Sequence, residues 1–396
     1  AYTLAANAGS AGASGGTALS VTGNIVNNSS NLQTINAALA IGSTRTVDAA
    51  SGNIAIGGAI SGIGGLTKNG SNTLTLSGAN TYNGTTTVSA GTLTLTGAST
   101  GGGAVMVDGG TMNIQGNLTL GSSLFNVGNA TAGVVNHSAG TVSITSGNGL
   151  VVGGIYGTQS ATSSSNGTYN LSGGTLNITP GANRGITIGW SSDSRGTFNM
   201  SGGTLVNTGT LQIGQTTDVD TAGQLPVYSQ TGGDATHGTL TMGGNGAWRV
   251  HTTTTTLSIT GGNFTAGNFT VLAGGTNNVA NITIGGNAIV TLPAFPTSRG
   301  SGATAYLTFD GGTLRPTASS SAYLGGLTSA TIRSGGITFD TNSYDITVSQ
   351  ALLANATSTG GGLSKNGTGT LTLSGNNTFT GTTSINTGTL QIGGSG

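Results

Sequence analysis

The sequence lacks cysteine and glutamate, and it carries little charge of either sign. All nine acidic residues are aspartates, and seven arginines and two lysines balance them to a net charge of zero. Without cysteine no disulfide can form. The absence of disulfides is compatible with export but does not identify the compartment in which the protein resides. A helical protein this poor in glutamate and lysine is improbable, because those residues normally fill the exposed faces of helices. The composition therefore favours strands and turns.

Other missing features exclude further classes of protein. No run of about 18 apolar residues occurs, so we expect no transmembrane helix. The net charge is zero and the basic residues form no concentrated patch in the sequence, which argues against a nucleic-acid partner. The 76 glycines follow no three-residue period and proline is scarce, so the chain is not collagen-like.

One segment of the chain occurs twice. Residues 65–97 and 362–394 align without a gap, and about 20 of the 33 positions are identical. In the first copy the motif TLTL, at 73–76 and again at 92–95, alternates leucine with threonine, and Val88 lies between the two motifs. This alternation predicts three short strands per copy, each with an apolar face and a threonine face.

One such unit cannot bury its apolar face alone, so it must stack on neighbours. A degenerate Gly-Gly motif recurs between the two copies, mostly at intervals of about 30 positions, which suits one coil of three strands. We therefore predict an all-β fold, a single parallel right-handed β-solenoid (β-helix) with about three short strands and roughly 25–30 residues per coil. Its predicted interior includes Leu74, Leu76, Leu93, Leu95, Leu171, Ile186, Ile188, Leu371 and Leu373.

The two copies also carry a family resemblance. The segment GGLTKNGSNTLTLSGANTYNGTTTVSAGTLTLTG resembles the passenger-associated transport repeat, the autotransporter-associated β-strand repeat of bacterial surface proteins. The resemblance implies a β-helical passenger that is secreted and displayed at the cell surface. The sequence begins with alanine rather than methionine, so we expect that a signal peptide has been removed.

The segment at 1–30 differs in composition from the rest of the chain. It is small, polar and rich in Gly, Ala and Ser, and only TALSV and GNIV suggest weak strands. The predicted organisation is a flexible segment at 1–30 without a coil of its own, followed by the solenoid at 31–396. The duplication extends beyond the repeated segment, because residues 46–60 have a looser counterpart at 338–352.

Candidate catalytic and metal sites are few. Asp218 and Asp220 form a DVD motif, but two carboxylates fall short of the six to eight oxygens that calcium prefers. His137, His237 and His251 lie far apart without cysteine or glutamate, so zinc-site spacing is absent. We predict no metal and no cofactor.

A polysaccharide-active enzyme is the weakest functional alternative. Glycoside hydrolysis needs two carboxylates that face each other. Spacings of coil length could align Asp193 and Arg195 with Asp218, Asp220 and Asp234 on consecutive coils. Five aromatic residues could form a sugar-stacking surface, although packing inside the coils is the favoured interpretation: Tyr156, Trp190, Tyr228, Trp248 and Tyr306. We predict no catalytic residues and no enzyme activity.

The favoured function is structural self-assembly. A solenoid normally ends in a cap, whereas the sequence ends in TGTLQIGGSG directly after a repeat, so we expect either that the natural chain continues past residue 396 or that another copy stacks there and forms a head-to-tail filament. The segment at 1–30 could add a strand to its neighbour. The predicted interface comprises Leu19, Val21, Ile25, Val26, Leu371, Leu373, Leu390 and Ile392. An adhesin-like passenger with a cell-surface or matrix polysaccharide as partner is the alternative.

Overall fold

The structure is a computed structural model, and it describes the backbone of residues 3–4 and the chain at 18–121, 124–145, 147, 149–154, 165–180, 184–190, 194–214, 225–244, 253–271, 278–296 and 302–393. Every regular element in these ranges is a β-strand. The strands pair in parallel along the whole described chain, as between Thr73–Leu76 and Thr92–Leu95. The predicted all-β parallel solenoid is confirmed. None of the described elements is a helix of the length and apolarity that a membrane span requires.

The strands form three faces, which the chain visits in the constant order first, second, third. The first face comprises Leu19–Ser20, Leu39–Ala40, Ile60–Ser61, Leu118–Leu120, Thr141–Ile144, Thr175–Ile178, Ile337–Asp340, Leu363–Asn366 and Thr383–Ile385. Bridges at Asn80 and Ser99 continue this face between Ile60–Ser61 and Leu118–Leu120.

The second and third faces are stacked in the same way. The second comprises Ile25–Val26, Arg45–Asp48, Leu66–Asn69, Thr86–Val88, Val105–Val107, Phe125–Val127, Leu150–Val152, Arg184–Ile188, Phe269–Val271, Ser320–Leu324, Ile346–Val348, Thr370–Leu373 and Thr389–Ile392. The third comprises Thr3–Leu4, Gln33–Ile35, Ile54–Ile56, Thr73–Leu76, Thr92–Leu95, Thr111–Ile114, Gly133–His137, Asn166–Leu171, Arg195–Met200, Ser329–Ile332 and Leu352–Ala354.

Five long strands run around a corner and contribute to more than one face. They are Thr204–Ile213, Val227–Met242, Thr253–Ala266, Asn278–Leu292 and Thr304–Pro316. Register shifts within their pairings mark the corners, as between Asn207 and Thr210. Continuous strands in this part of the chain therefore keep the same three-faced cross-section as the shorter strands elsewhere.

The interior of the solenoid is filled by alternate residues of each strand. All nine residues that the sequence places inside are buried, each with 2% or less of its surface exposed. Rings on successive coils stack on one another: Tyr169 lies 5.2 Å from Phe198, and Phe198 lies 5.4 Å from Tyr228, each pair nearly parallel. Parallel stacking of rings on neighbouring strands adds a specific contact to ordinary apolar burial.

The length of a coil varies more than predicted. Leu74 pairs with Leu93, 19 positions later, whereas Val134 pairs with Thr168, 34 positions later. The predicted coil length is therefore wrong for the repeat itself, whose coils are shorter. The prediction of three strands per copy is also wrong, because the first copy contains a fourth strand, Leu66–Asn69. An inward position of that strand is Lys68 rather than an apolar residue, which hid the alternation.

The two copies of the repeat occupy different faces. In the first copy the strands lie on the second and third faces, ending with Thr92–Leu95. In the second copy the equivalent strands lie on the first and second faces, ending with Thr389–Ile392. The motif therefore specifies a strand and its corners but not the face that it occupies.

Glycine at the corners allows neighbouring coils to approach closely. Gly174, the second glycine of an SGGT motif, has φ of +73°, and a Cβ atom there would lie 2.4 Å from Gly140 O on the preceding coil. Gly203 and Gly233 repeat this conformation on the next two coils. Both the positive φ and the close contact exclude larger residues at these corners.

Candidate self-association surfaces

The leading edge of the solenoid is formed by Leu19–Ser20 on the first face and Ile25–Val26 on the second. Among the described residues, each strand pairs with only one other, Leu39–Ala40 or Arg45–Asp48. These pairings make both strands part of the solenoid.

The hydrogen bonds show which backbone groups of the leading edge are directed outward. The N–H groups of Leu19 and Val21 donate to the carbonyl oxygens of Ala38 and Ala40 on the following coil. Successive residues of a strand direct their N–H and C=O groups to opposite sides. Those of Ser20 therefore face away from the solenoid, where a further strand could pair.

Apolar side chains lie on the leading edge. Leu19 is 52% exposed and Val26 is 50% exposed, whereas Val21 and Ile25 are half-buried against the end of the core. Leu32, which was not among the predicted interface residues, is 49% exposed at the same end.

The trailing edge is formed by Thr383–Ile385 on the first face and Thr389–Ile392 on the second. Leu390 pairs with Leu371, and Ile392 pairs with Leu373. Leu371 and Leu373 are buried by this last coil, so these two predicted interface residues belong to the core beneath the edge. Ile392 is 69% exposed.

Ile385 is an edge residue that the sequence analysis missed. It is 55% exposed, whereas the matching residue of the first copy, Val88, is fully buried because Val105–Val107 follows it on the same face. Comparison of the two copies could have found it. Neither edge carries a charged residue, since none occurs at 18–35 or at 370–393.

Both lysines of the protein are buried at the same position of the two repeats. Lys68 Nζ donates to the carbonyl oxygens of Asn69 and Gly70 at 2.6 and 2.8 Å. It also donates to Ala90 O on the next coil at 3.1 Å. Desolvation lowers the pKa of Lys68 to about 8, and the nearby Asp48 carboxylate opposes that shift. The ammonium group thus joins two coils through their carbonyl groups.

Lys365 repeats this arrangement beside the trailing edge. Its Nζ donates to Asn366 O and Gly367 O at 2.9 and 2.7 Å, and to Thr387 O at 3.1 Å. Desolvation lowers the pKa of Lys365, and Asp340 and Asp345 oppose the shift. The last coil is therefore held to the preceding one by a buried ammonium group as well as by strand pairing.

The residues considered for catalysis do not assemble a site in the described part of the chain. Asp234 accepts a hydrogen bond from Asn263 Nδ2 at 2.6 Å, and Arg195 begins a strand at an exposed position. Asp193, Asp218 and Asp220 lie outside the described residues. No cluster of three potential metal ligands occurs among the residues that are described.

The described histidines are packing residues. His137 Nδ1 lies 3.0 Å from the Tyr169 hydroxyl, and burial lowers the pKa of His137. His237 is 2% exposed, and burial lowers its pKa to about 3. His251 lies outside the described residues.

The aromatic residues considered for sugar stacking differ in their exposure. Tyr228 is fully buried in the ring stack, which agrees with the packing interpretation. Trp190 is half-buried beneath the guanidinium of Arg184, at 4.9 Å, and Tyr306 is 39% exposed. Tyr156 and Trp248 lie outside the described residues.

Two open polar grooves lie near the trailing end. The larger, of about 490 Å³, follows the glycine corners and is lined by Ser334, Thr338, Ser364, Thr382 and Ser384 among others. The smaller, of about 430 Å³, crosses the second face. It is lined by hydroxyl groups and by Asp345, whose carboxylate accepts a hydrogen bond from the Thr370 N–H at 2.7 Å.

Comparison with known families agrees with the repeat geometry. The family model described as passenger-associated-transport-repeat matches residues 66–95, 90–114, 195–213 and 363–392. The first and last matches are the two copies of the repeated segment, and the other two cover further coils of the same solenoid. No curated protein and no solved structure matches the chain. The chain is thus a β-solenoid that carries passenger-associated transport repeats at four places.

Proposed function

We propose that this protein is a non-catalytic structural component of the cell surface that polymerises head to tail into a filament or matrix fibre. The repeat family supports the extracellular, passenger-type setting, since such repeats belong to autotransporter-associated proteins. In the proposal, the trailing edge of one copy stacks on the leading edge of the next. A heterologous contact of this kind repeats without closing and so produces a fibre.

The observation that carries the proposal is the location of exposed apolar side chains. Eight large apolar side chains are exposed in the described part of the chain, and five lie at the two ends: Leu19, Val26, Leu32, Ile385 and Ile392. Among the described residues, the strands at both ends also have one unpaired side, which is the feature that recruits further strands. Apolar residues and open backbone groups therefore coincide at the two surfaces that polymerisation would join.

Burial of these side chains would contribute to the free energy of the contact. Full burial of an aliphatic side chain contributes about 1.5–3 kcal/mol, so burying the exposed half or more of these five side chains would contribute roughly 4–8 kcal/mol. Backbone pairing on each face adds to this. Since neither edge is charged, the contact should withstand high salt.

Negative-stain electron microscopy of the purified full chain tests the proposal. We expect fibres one solenoid wide that persist on dilution and in about 1 M salt. The double variant Leu390→Asp and Ile392→Asp should instead give single rods, because two carboxylates would be buried without partners. Deletion of residues 1–30 should have the same effect.

A matched control distinguishes burial from a general effect of charge. Thr389→Asp and Gln391→Asp add the same two charges to the same strand, but on its outward row. This variant should still form fibres. If the Leu390 and Ile392 double variant formed fibres like those of the parent, the proposed end-to-end contact would be wrong.

A second candidate function is adhesion through the hydroxyl-lined grooves. Hydroxyl groups and a carboxylate at the surface of a rigid sheet are groups that bind sugar hydroxyls, and the smaller groove presents both. Binding of the purified protein to an immobilised panel of polysaccharides tests this candidate. Loss of binding in Asp345→Asn, with retained fold, would support it, whereas no binding to any polysaccharide would exclude it.

A further inference from the structure

We infer that the junction between copies continues the solenoid without rotation, so that each face of one copy runs into the same face of the next. This inference rests on the proposed function and specifies its geometry. It predicts that Thr383–Ile385 pairs with Leu19–Ser20 of the next copy, and that Thr389–Ile392 pairs with Ile25–Val26 of the next copy.

The order of the faces supports this arrangement. The chain visits the faces in the order first, second, third, and the last described strand, Thr389–Ile392, lies on the second face. The third face is next in that order. The first described strand, Thr3–Leu4, lies on the third face, and Leu19–Ser20 follows on the first. The face order therefore continues across the junction without a skipped or repeated face.

The backbone groups also match on the first face. At the trailing edge the Leu363 N–H donates to Thr382 O, and the Asn386 N–H donates to Lys365 O. Even-numbered residues here therefore direct their N–H and C=O groups to the preceding coil, whereas Thr383 and Ile385 direct theirs to the open side. Ser20 directs its N–H and C=O groups to the open side of the leading edge, where they can form hydrogen bonds with Thr383 and Ile385.

This hydrogen-bond pattern fixes which side chains meet. We call a residue forward-directed when its backbone N–H and C=O groups point to the following coil. In the pairs inside the solenoid, a forward-directed residue lies opposite a residue of the next coil whose side chain faces inward, as Leu19 does opposite Leu39. At the junction the same rule places Thr383 opposite Leu19 and Ile385 opposite Val21. The exposed Ile385 would then be covered by an apolar residue.

The second face obeys the same rule. Leu390 and Ile392 occupy the inward row above Leu371 and Leu373. Ile25 occupies the inward row at the leading edge, opposite Val47. The Gly393 N–H donates to Leu373 O on the preceding coil, so Leu390 and Ile392 direct their backbone groups forward, and either can lie opposite the inward-facing Ile25. Both registers place an apolar residue on an apolar residue.

The first copy of the repeat shows how the trailing edge is occupied when a coil follows. Its last strand, Thr92–Leu95, pairs without a register shift with Thr111–Ile114, so that Leu93 lies opposite Met112. The last strand of the second copy, Thr389–Ile392, has the closely related sequence TLQI. A strand of this motif is therefore suited to accept a parallel strand on its forward side.

Engineered cysteines test the face alignment, because the natural chain has none. Ser20 and Ser384 lie on the outward rows of the first face, and the inferred pairing places them directly opposite each other. Opposite residues on parallel strands are about 4.8 Å apart, within the range that a disulfide spans. The double variant Ser20→Cys and Ser384→Cys, oxidised as fibres, should give a ladder of covalent multimers on a non-reducing gel.

Two controls distinguish the possible outcomes. The variant Ser20→Cys and Gln391→Cys places the thiols on different faces and should give no ladder, and Ser20→Cys alone should give none if copies join head to tail. Fibres of the matched pair that give no ladder would overturn the inference while the filament remains. Absence of fibres in the parent would overturn the proposed function and the inference with it.

A second measurement does not depend on the variants. Cryo-electron microscopy of parent fibres should show the strand spacing of about 4.8 Å continuing from Thr383–Ile385 into Leu19–Ser20 of the next copy. A rotation of the next copy by one face would contradict the inference.

Discussion

Acidification should destabilise the solenoid through His237. Its imidazole is 2% exposed and lies 5.9 Å from the ring of Tyr228 and 5.1 Å from that of Phe264. Asn207 Nδ2 donates to His237 Nδ1 at 3.2 Å in the tautomer that carries its proton on Nε2. Burial lowers the pKa of His237 to about 3, so the folded protein holds the neutral ring.

The sign and size of the effect follow from that pKa. An unfolded histidine has a pKa of about 6.5, so below about pH 6.5 the unfolded chain binds a proton that the folded chain does not. The free energy of unfolding therefore falls as the pH is lowered, by about 2 kcal/mol between pH 7.5 and 5 and by up to about 5 kcal/mol below pH 3. The lowered pKa of His137 acts in the same direction.

Urea unfolding at pH 7.5 and pH 5.0 measures this effect. The variant His237→Phe should lose this component of the pH dependence, about 2 kcal/mol, whatever its stability at pH 7.5, because the comparison is made within each variant. His137→Gln is the control, since it keeps His237 and should keep that component. If the free energy of unfolding of His237→Phe fell by as much between pH 7.5 and 5 as that of the parent, His237 would not be the source of the pH dependence, and the burial argument would fail.

Three further perturbations test other features of the coils. Lys68→Met should lower the free energy of unfolding by about 1–3 kcal/mol, because it leaves buried carbonyl groups without a donor; calorimetry that showed no loss would contradict this role. Gly174→Ala should destabilise the fold by about 1–2 kcal/mol or more through its positive φ and the contact with Gly140, whereas Gly42→Ala, which meets nothing within 4 Å, should leave the melting temperature unchanged. EDTA should leave the melting temperature unchanged, and a drop of several degrees would indicate a cation at a site such as Asp218.

The sequence was sufficient to predict the stacking of the coils because that part of the fold depends on a strong local pattern. Alternating leucine and threonine specifies which side of a strand is buried, and paired glycines specify where the chain turns. Leu74 and Leu93 therefore lie where the alternation predicts, as neighbours on one face.

Other features depend on contacts between coils that the local pattern does not contain. Lys68 is polar in the sequence, yet it lies inside because carbonyl groups from two coils surround its ammonium group. The face occupied by each repeat depends on the number of strands that precede it, which cannot be counted before every strand is known. The exposure of Ile392 likewise depends on its position in the last described coil rather than on its motif.

The constant order of the three faces has a consequence for how such a protein can evolve. The spacing between paired residues on neighbouring coils ranges from 19 to 36 positions among the described strands, and the difference is accommodated at the corners while the strands stay in register. Insertions at a corner therefore leave the cross-section intact, and gain or loss of a whole coil between the two ends changes only the length of the rod. Lineages can diversify the surface and the reach of the molecule while the packing inside each coil is inherited unchanged.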